Sequence, residues 1–238
     1  MEPLSNPPAD IADLSADELF LQARAGDWEA RRAALEAIGR RASANPESFR
    51  EDSPSALAVA IGSLHDEDCH VRRAALGCAV RLAVVAASAE DRASLLDRAF
   101  ELLADEDWGV RRVALSAVGE IAPRGDRNAL DAVEPFLRDE DDDVRTAAVA
   151  ALGKVAEPGD AALSSSISSL LDDDDEGVRQ AAVRAFVRVA LPGDEGAISR
   201  LLAVAREDED LDTRRAAANA VAQLLAGAAE APPPGETP

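Results

Sequence analysis

Apolar residues recur along most of this chain at spacings of three and four, as they do on one face of an α-helix. In six segments an aspartate is followed four residues later by an arginine and then by an alanine-rich apolar run. These segments begin at Asp27, Asp68, Asp107, Asp141, Asp175 and Asp210. With the residue before each arginine as position 0, apolar residues occupy positions 0, 3, 4, 7 and 8, except for Thr213 at position 0 of the last copy, and position 4 is always alanine. The pattern predicts six amphipathic helices, each capped by its leading aspartate.

A second, less regular set of helices is predicted between these six. Ser15 and Glu18 have the spacing of a capping box. Three later helices follow Pro-Gly-Asp turns, at Pro123 to Asp126, Pro158 to Asp160 and Pro192 to Asp194, in which proline and glycine end one helix and aspartate caps the next. We expect Pro135 to kink or shorten its helix, and residues 44–54 to form a loop with a helical turn.

The two sets make six helix pairs, and each pair can bury its apolar face only against its neighbours. The sequence therefore predicts an all-α fold, a right-handed α-α superhelix or α-solenoid of six pairs over residues 13–227. The predicted repeats are 13–44, 45–87, 88–122, 123–157, 158–191 and 192–227. Residues 1–12 and the proline-rich tail 228–238 are predicted to be disordered.

The repeat resembles a known family. The motif Leu-x-Asp-x-Asp-x-x-Val-Arg-x-x-Ala-x-x-Ala, clearest at Leu64 to Arg72 and Leu103 to Arg111, is similar to HEAT repeats of the phycobilisome-lyase type. The resemblance covers roughly residues 14–226. The first and last copies depart from it, with Ala30 and Thr213 in place of valine, as capping repeats do.

The resemblance implies a structural ladder in which the motif arginines pair with aspartates of adjacent repeats. In this sequence the capping aspartate also lies four residues before each arginine, a favourable helical pairing. The predicted ladder consists of Asp27 and Arg31, Asp68 and Arg72, Asp107 and Arg111, Asp141 and Arg145, Asp175 and Arg179, and Asp210 and Arg214.

The amino-acid composition, above all the net charge, limits which kinds of molecule the protein can bind. The net charge is −21, with 46 acidic and 25 basic residues, of which Lys154 is the only lysine. Acidity with little lysine and much alanine resembles a protein of an extreme halophile, which suggests a haloarchaeal source; an acidic mesophilic protein is the alternative. The negative field argues against nucleic acid and anionic membranes as main partners.

Basic residues nevertheless gather at positions 2, 6 and 10, which the family resemblance places on the concave surface. They are Arg32, Arg40, Arg73, Arg81, Arg112, Lys154, Arg184, Arg188 and Arg215. One interpretation is a basic groove that receives an acidic segment of a partner protein; the other is a solvated face that balances neighbouring acids. Trp28 and Trp108, in the first turn of their helices, could anchor a partner or pack against the adjoining repeat.

Catalytic and metal-binding patterns are poor. His65, Cys69 and His70 form a His-x3-Cys-His group, but only Cys78 remains as a further nitrogen or sulfur ligand. No His-Glu dipeptide, phosphate loop or nucleophile elbow occurs. We therefore predict no catalytic residue, metal or cofactor. Two cysteines and an N-terminus without an apolar signal segment favour the cytoplasm.

The favoured function is a non-enzymatic scaffold or adaptor that binds protein partners on its concave face, in signalling, motility or complex assembly. A bilin-lyase-like enzyme or chaperone-lyase is the alternative implied by the family resemblance, although few aromatic residues are present to build a tetrapyrrole pocket. A nucleic-acid-binding HEAT-like protein is the second alternative, supported by the arginines and opposed by the net charge.

Overall fold

The computed structural model describes residues 11, 14–45, 53–86 and 88–230. These residues contain twelve α-helices and no β-strand. The helices are α1 (Ala16–Ala25), α2 (Trp28–Ala44), α3 (Ser53–Gly62), α4 (Cys69–Ala86), α5 (Ala89–Leu102), α6 (Trp108–Ile121), α7 (Arg127–Val133), α8 (Asp142–Val155), α9 (Ala161–Ser169), α10 (Glu176–Val189), α11 (Glu195–Glu207) and α12 (Leu211–Glu230). This helical architecture confirms the predicted all-α class.

The chain divides into two compact units between Ala117 and Val118. In the first unit, α1 packs on α2, α3 packs on α4, and α2 lies against α4. In the second unit, α7 packs on α8, α9 on α10 and α11 on α12, while α10 contacts both α8 and α12. Within each unit, therefore, the second helix of one pair packs on the second helix of the next.

Small side chains bring these second helices close together. The alanines at position 4 are all fully buried: Ala34, Ala75, Ala114, Ala148, Ala182 and Ala217. At position 9, Gly153 is so close to the next second helix that a Cβ there would lie 2.8 Å from the Cβ of Ala185. Alanine and glycine at the contact let neighbouring backbones approach, and leucine, isoleucine and valine fill the remaining space.

The predicted turns form as expected. Gly125, Gly159 and Gly193 have positive φ angles, which glycine adopts without strain. Each glycine N–H also donates to a carbonyl near the end of the following second helix, at Val155, Val189 and Leu224. The next residue, Asp126, Asp160 or Asp194, caps the helix that follows. The Pro-Gly-Asp turn thus ends one pair and hydrogen-bonds to the next.

Two other local predictions can be compared with the structure. Pro135 shortens its helix as expected, because α7 ends at Val133 and a 3-10 helix covers Glu134–Arg138. Of the segment 44–54, residues 46–52 lie outside the described residues, and Ser53 already begins α3.

The predicted start of the disordered tail was wrong. Helix α12 continues through 228–230 to Glu230 instead of ending at 227. Alanine is the strongest helix former, and no proline occurs before Pro232 to stop the helix. Residues 231–238 and, apart from Ile11, residues 1–12 lie outside the described part of the chain.

Candidate functional site

Two aspartates precede most second helices, and they have different roles. The later one, such as Asp175, caps the helix by accepting the N–H of Val178. The earlier one, Asp173, accepts the N–H of Asp175 and two hydrogen bonds from Arg145 of the preceding pair, from Nε at 2.9 Å and Nη2 at 2.8 Å. The same bidentate pairing joins Arg31 to Asp66, Arg72 to Asp105, and Arg179 to Asp208.

The pairing with adjacent repeats that the family resemblance implies is confirmed for four arginines, but its aspartates are Asp66, Asp105, Asp173 and Asp208 and not the capping aspartates. The capping role is confirmed for Asp27, Asp68, Asp107, Asp141, Asp175 and Asp210. The pairing of each arginine with the cap four residues before it is wrong for Arg31, Arg72, Arg145 and Arg179, whose side chains reach forward to the next pair.

Backbone carbonyls explain this direction. The Nη1 group of Arg179 donates to the carbonyl oxygens of Asp173 and Asp174, which turns the remaining edge of the planar guanidinium toward Asp208. Arg111 and Arg214 make the same carbonyl contacts, at Asp105 and Glu106 and at Asp208 and Glu209. The ladder arginines are thus occupied in structural hydrogen bonds.

The hydrogen bonds of the ladder shift the pKa values of its aspartates and arginines. Burial by itself raises the pKa of Asp105 and of Asp173, but hydrogen bonds from Arg72 or Arg145 and from a backbone N–H outweigh it, so both pKa values are lowered. The same hydrogen bonds raise the pKa of the arginines. Both partners remain charged at neutral pH, and their pairing stabilises the folded chain.

This arrangement predicts loss of stability in acid. A carboxyl group whose pKa is lower in the folded chain contributes stability above its unfolded pKa of about 4, and that contribution disappears as the pH falls toward the folded pKa. We expect the melting temperature to fall steeply below about pH 4. Asp105→Asn should lower the melting temperature at neutral pH, and its melting temperature should fall less steeply with acid than that of the wild type. An equally steep fall in the variant would contradict a stabilising role for the ionised Asp105.

A basic groove lies on the second helices of the first unit. It has a volume of about 670 Å³ and is lined by Arg32, Glu36, Arg40, His70, Arg73, Ala74, Gly77, Arg81, Arg112, Val113 and Ser116. We call this surface the unit 1 groove. It brings together five of the nine predicted concave bases with a single acidic residue, Glu36. The groove is therefore positively charged, although the chain as a whole has a net charge of −21.

Three arginines at position 2, one from each second helix, run along the unit 1 groove. The Nε atoms of Arg32 and Arg112 are buried without a hydrogen-bond partner. Arg73 is about a quarter exposed, and its Nε lies 3.7 Å from Asp107. Its side chain lies over Gly109, where a Cβ would come within 2.4 Å of Nη1. Glycine at this position therefore leaves room for the guanidinium, a role that the sequence analysis did not identify.

The acid in the unit 1 groove partly neutralises its first helix. Glu36 lies one turn from both Arg32 and Arg40, with nitrogen–oxygen distances of 3.6 and 3.5 Å. The corresponding residues of the next two second helices are Gly77 and Ser116, which carry no charge. The positive charge of the groove is therefore less compensated around Arg112 than around Arg32 and Arg40, which share Glu36, or around Arg73, whose Nε lies 3.7 Å from Asp107.

Trp28 takes one of the two roles considered for the tryptophans, because it packs against the adjoining repeat. Trp28 packs against His70 of the next pair, with ring centroids 5.3 Å apart, and the guanidinium carbon of Arg32 lies 5.9 Å from its ring centroid. It nevertheless remains 39% exposed, and Trp108 is 41% exposed. Exposed tryptophan surface near arginines is typical of protein contact sites.

Within its described residues, the second unit has no matching row of three arginines at position 2. Its position 2 residues are Thr146, Gln180 and Arg215. Gln180 donates to Asp210, and Arg215 pairs with Asp212. Lys154 donates to Glu120, while Arg184 and Arg188 are exposed to solvent. The predicted stripe of nine bases is thus a groove in one unit and a set of paired or solvated side chains in the other.

The histidine and cysteine residues form a small cluster. Ligand atoms of Asp68, Cys69 and His70 lie within 4.8 Å of one another, and His65 is not part of this group. Burial, then nearby Asp107, raises the pKa of the Cys69 thiol. Burial also raises the pKa of the Cys78 thiol to about 12. Protonated thiols are weak metal ligands, and the cluster lies at the positive N-terminus of α4. That no metal binds here stays a prediction.

The fold and the ladder define the class of protein: an α-helical repeat protein in which the same bidentate arginine–aspartate pairing recurs between neighbouring helix pairs. The family model for HEAT repeats matches residues 77–153, 96–185 and 138–222, which together cover more than half of the chain. The chain belongs to the HEAT-repeat family.

Solved structures agree with this assignment at the level of the fold. An archaeal HEAT-like repeat protein from Thermococcus onnurineus NA1 superposes with a TM-score of 0.61 at 16% identity, covering 90% of this chain and 88% of that one. The complex of CpcE and CpcF of phycocyanin lyase from Nostoc sp. PCC7120 gives 0.62 at 18% identity, covering 91% and 79%.

A computationally designed armadillo repeat protein for modular peptide recognition also gives a TM-score of 0.62, at 21% identity, covering 88% of this chain and 99% of that one. No curated protein matches the sequence. No helix within the described residues is both long and apolar enough to cross a membrane.

Proposed function

We propose that this HEAT-repeat protein is a non-enzymatic scaffold that binds an acidic segment of a partner protein in the unit 1 groove. The observation that carries the proposal is the gathering of five arginines around one groove that a single lining acid, Glu36, opposes. The side chains of Arg32, Arg40 and Arg73 are 41%, 62% and 24% exposed. Their guanidinium groups can therefore donate hydrogen bonds to a carboxylate in the groove in the geometry that guanidinium groups favour.

The distribution of charge supports the same occupant. Ladder arginines such as Arg72 and Arg145 already hold aspartates, whereas the groove lining sets five arginines against one acid, with Asp107 beside Arg73 as a further partial partner. Nucleic acid would meet the same groove, but it would also meet the acids that give the chain its net charge of −21. A short acidic peptide is small enough to avoid them.

We also propose a cellular location, a type of process and a salt concentration in which the protein acts. We place it in the cytoplasm, acting as an adaptor in signalling, motility or assembly of a complex, and in concentrated salt. Partly buried ion pairs are screened less by salt than exposed ones, so binding in the groove can persist where the Debye length is about 3 Å.

A matched pair of variants tests the groove. Arg73→Glu with Arg112→Glu reverses two groove charges, and Arg184→Glu with Arg188→Glu makes the same change of net charge on exposed positions of α10. Fluorescence anisotropy of a labelled oligoglutamate peptide should show about 100-fold weaker binding for the groove variant, because each charge-assisted hydrogen bond contributes about 1.5–3 kcal/mol. The α10 variant should bind nearly as the wild type does.

The titration is repeated at about 2 M KCl, with an oligonucleotide of equal charge as competitor. Equal loss of binding in both variants would show attraction by general charge and contradict the proposal. The absence of peptide binding to the wild-type protein, or preference for the oligonucleotide, would also contradict it. Thermal melts of both variants establish that they fold.

A further inference from the structure

We infer that the unit 1 groove recognises an acidic segment in the polyproline II conformation, with acidic residues at every third position. This inference rests on the proposed function and adds the conformation and spacing of the ligand. It follows from the repeat of the arginines along the groove and from the residues that lie between them.

The arginines of the groove repeat with the helices. Arg32, Arg73 and Arg112 occupy the same position in three successive second helices. These helices are in direct contact: Gly39 of α2 lies against Cys78 of α4, and Arg73 of α4 covers Gly109 of α6. Packed helices have axes about 8–10 Å apart, so successive arginines present their charges at about that interval.

The polyproline II helix matches this interval. It has three residues per turn and rises about 3.1 Å per residue, so residues three apart lie on one face about 9 Å from each other. A β-strand does not match, because its side chains on one face are two residues and about 6.6 Å apart. Segments rich in charge repel themselves and extend, and polyproline II is a major conformation of such chains.

A helical ligand matches the same interval only with acidic residues about seven positions apart, which lie about 10.5 Å from each other at about 1.5 Å per residue. Such a helix is therefore the alternative that the peptide comparison must separate from the extended segment.

The floor of the groove suits the same ligand. Between the arginines of position 2 and those of position 10 lie Glu36, Gly77 and Ser116. Gly77 carries no side chain, and the Ser116 hydroxyl donates to the Arg112 carbonyl. Only Glu36 opposes an acidic ligand. Glu36→Gln is therefore expected to strengthen binding, by removing a like charge while keeping the size of the side chain.

Peptides of identical composition test the spacing. Three repeats of Glu-Pro-Pro place a carboxylate on every turn of a polyproline II helix, and the control peptide contains the same residues with its three glutamates adjacent. An alanine-rich helical peptide with glutamates seven residues apart provides the helical alternative. Anisotropy titrations of the full chain measure binding of each.

We expect the Glu-Pro-Pro peptide to bind about tenfold more tightly than the control peptide, which corresponds to about 1.4 kcal/mol. Arg112→Ala should abolish this preference and Arg184→Ala should preserve it, while Glu36→Gln should strengthen binding of both proline-rich peptides. Equal affinity for all peptides, or preference for the helical one, would contradict the inferred polyproline II ligand with acidic residues at every third position, but it would leave the proposed function intact. No binding of any acidic peptide would overturn both.

Discussion

Replacement of Arg179 by alanine is expected to lower the free energy of unfolding by about 3 kcal/mol, the scale measured when one partner of a buried ion pair is removed. The side chains of Arg179 and Asp208 are only 7% and 5% exposed. Arg179 donates to both oxygens of Asp208 and to the carbonyls of Asp173 and Asp174. Its removal leaves a buried carboxylate and two carbonyls without their donor.

An exposed arginine provides the control for this prediction. Arg127 pairs with Asp160 at 2.9 Å, also across two helix pairs, but its side chain is 65% exposed. Arg127→Ala should change the free energy of unfolding by less than about 1 kcal/mol. Urea unfolding followed by circular dichroism measures both variants. Similar losses in the two would show that the ladder stabilises the fold no more than a surface ion pair.

A methyl group at Gly153 should produce the next largest loss of stability, about 2 kcal/mol, which is typical of overpacking in a rigid core. A Cβ at this position would lie 2.8 Å from the Cβ and 2.9 Å from the Cα of Ala185. Since Ala185 belongs to the next second helix, α8 and α10 would have to move apart. The same experiment, urea unfolding of Gly153→Ala, measures the effect.

Gly62 is the matched control. It also lies in a helix, but a Cβ there would meet no atom within 4 Å. Gly62→Ala should be neutral or raise the free energy of unfolding by about 0.5–1 kcal/mol, because alanine is the better helix former. If Gly153→Ala were equally harmless, the glycine at position 9 would not be needed for the close approach of the two helix backbones.

The sequence predicted the helices because their signals are local. Capping aspartates, the three–four apolar period and the Pro-Gly-Asp turns each act within a few residues, and α12 continued past its expected end only because alanine provides no stop. Ladder partners are not local. Asp173 and Asp175 are equally regular in the motif, and the backbone carbonyls around Arg145 and Arg179 decide which of the two is paired.

The candidate site was predicted in part for the same reason. Periodicity placed nine bases on one surface, but it carries no information on which of them are neutralised. Lys154 is held by Glu120 and Arg215 by Asp212, whereas Arg112 keeps an Nε without a partner. The space over Gly109 that admits Arg73 depends on contact between two helix pairs, so the sequence pattern did not reveal it.

The most direct test of the central claim is an ¹H–¹⁵N spectrum of the arginine Nε–H groups, recorded while an oligoglutamate peptide is added. The signals of Arg32, Arg73 and Arg112 should move as carboxylates bind beside their guanidinium groups, and those of the ladder residues Arg145 and Arg179 should stay in place. Shifts of equal size at the exposed Arg184 and Arg188, or no shift in the groove, would contradict the account.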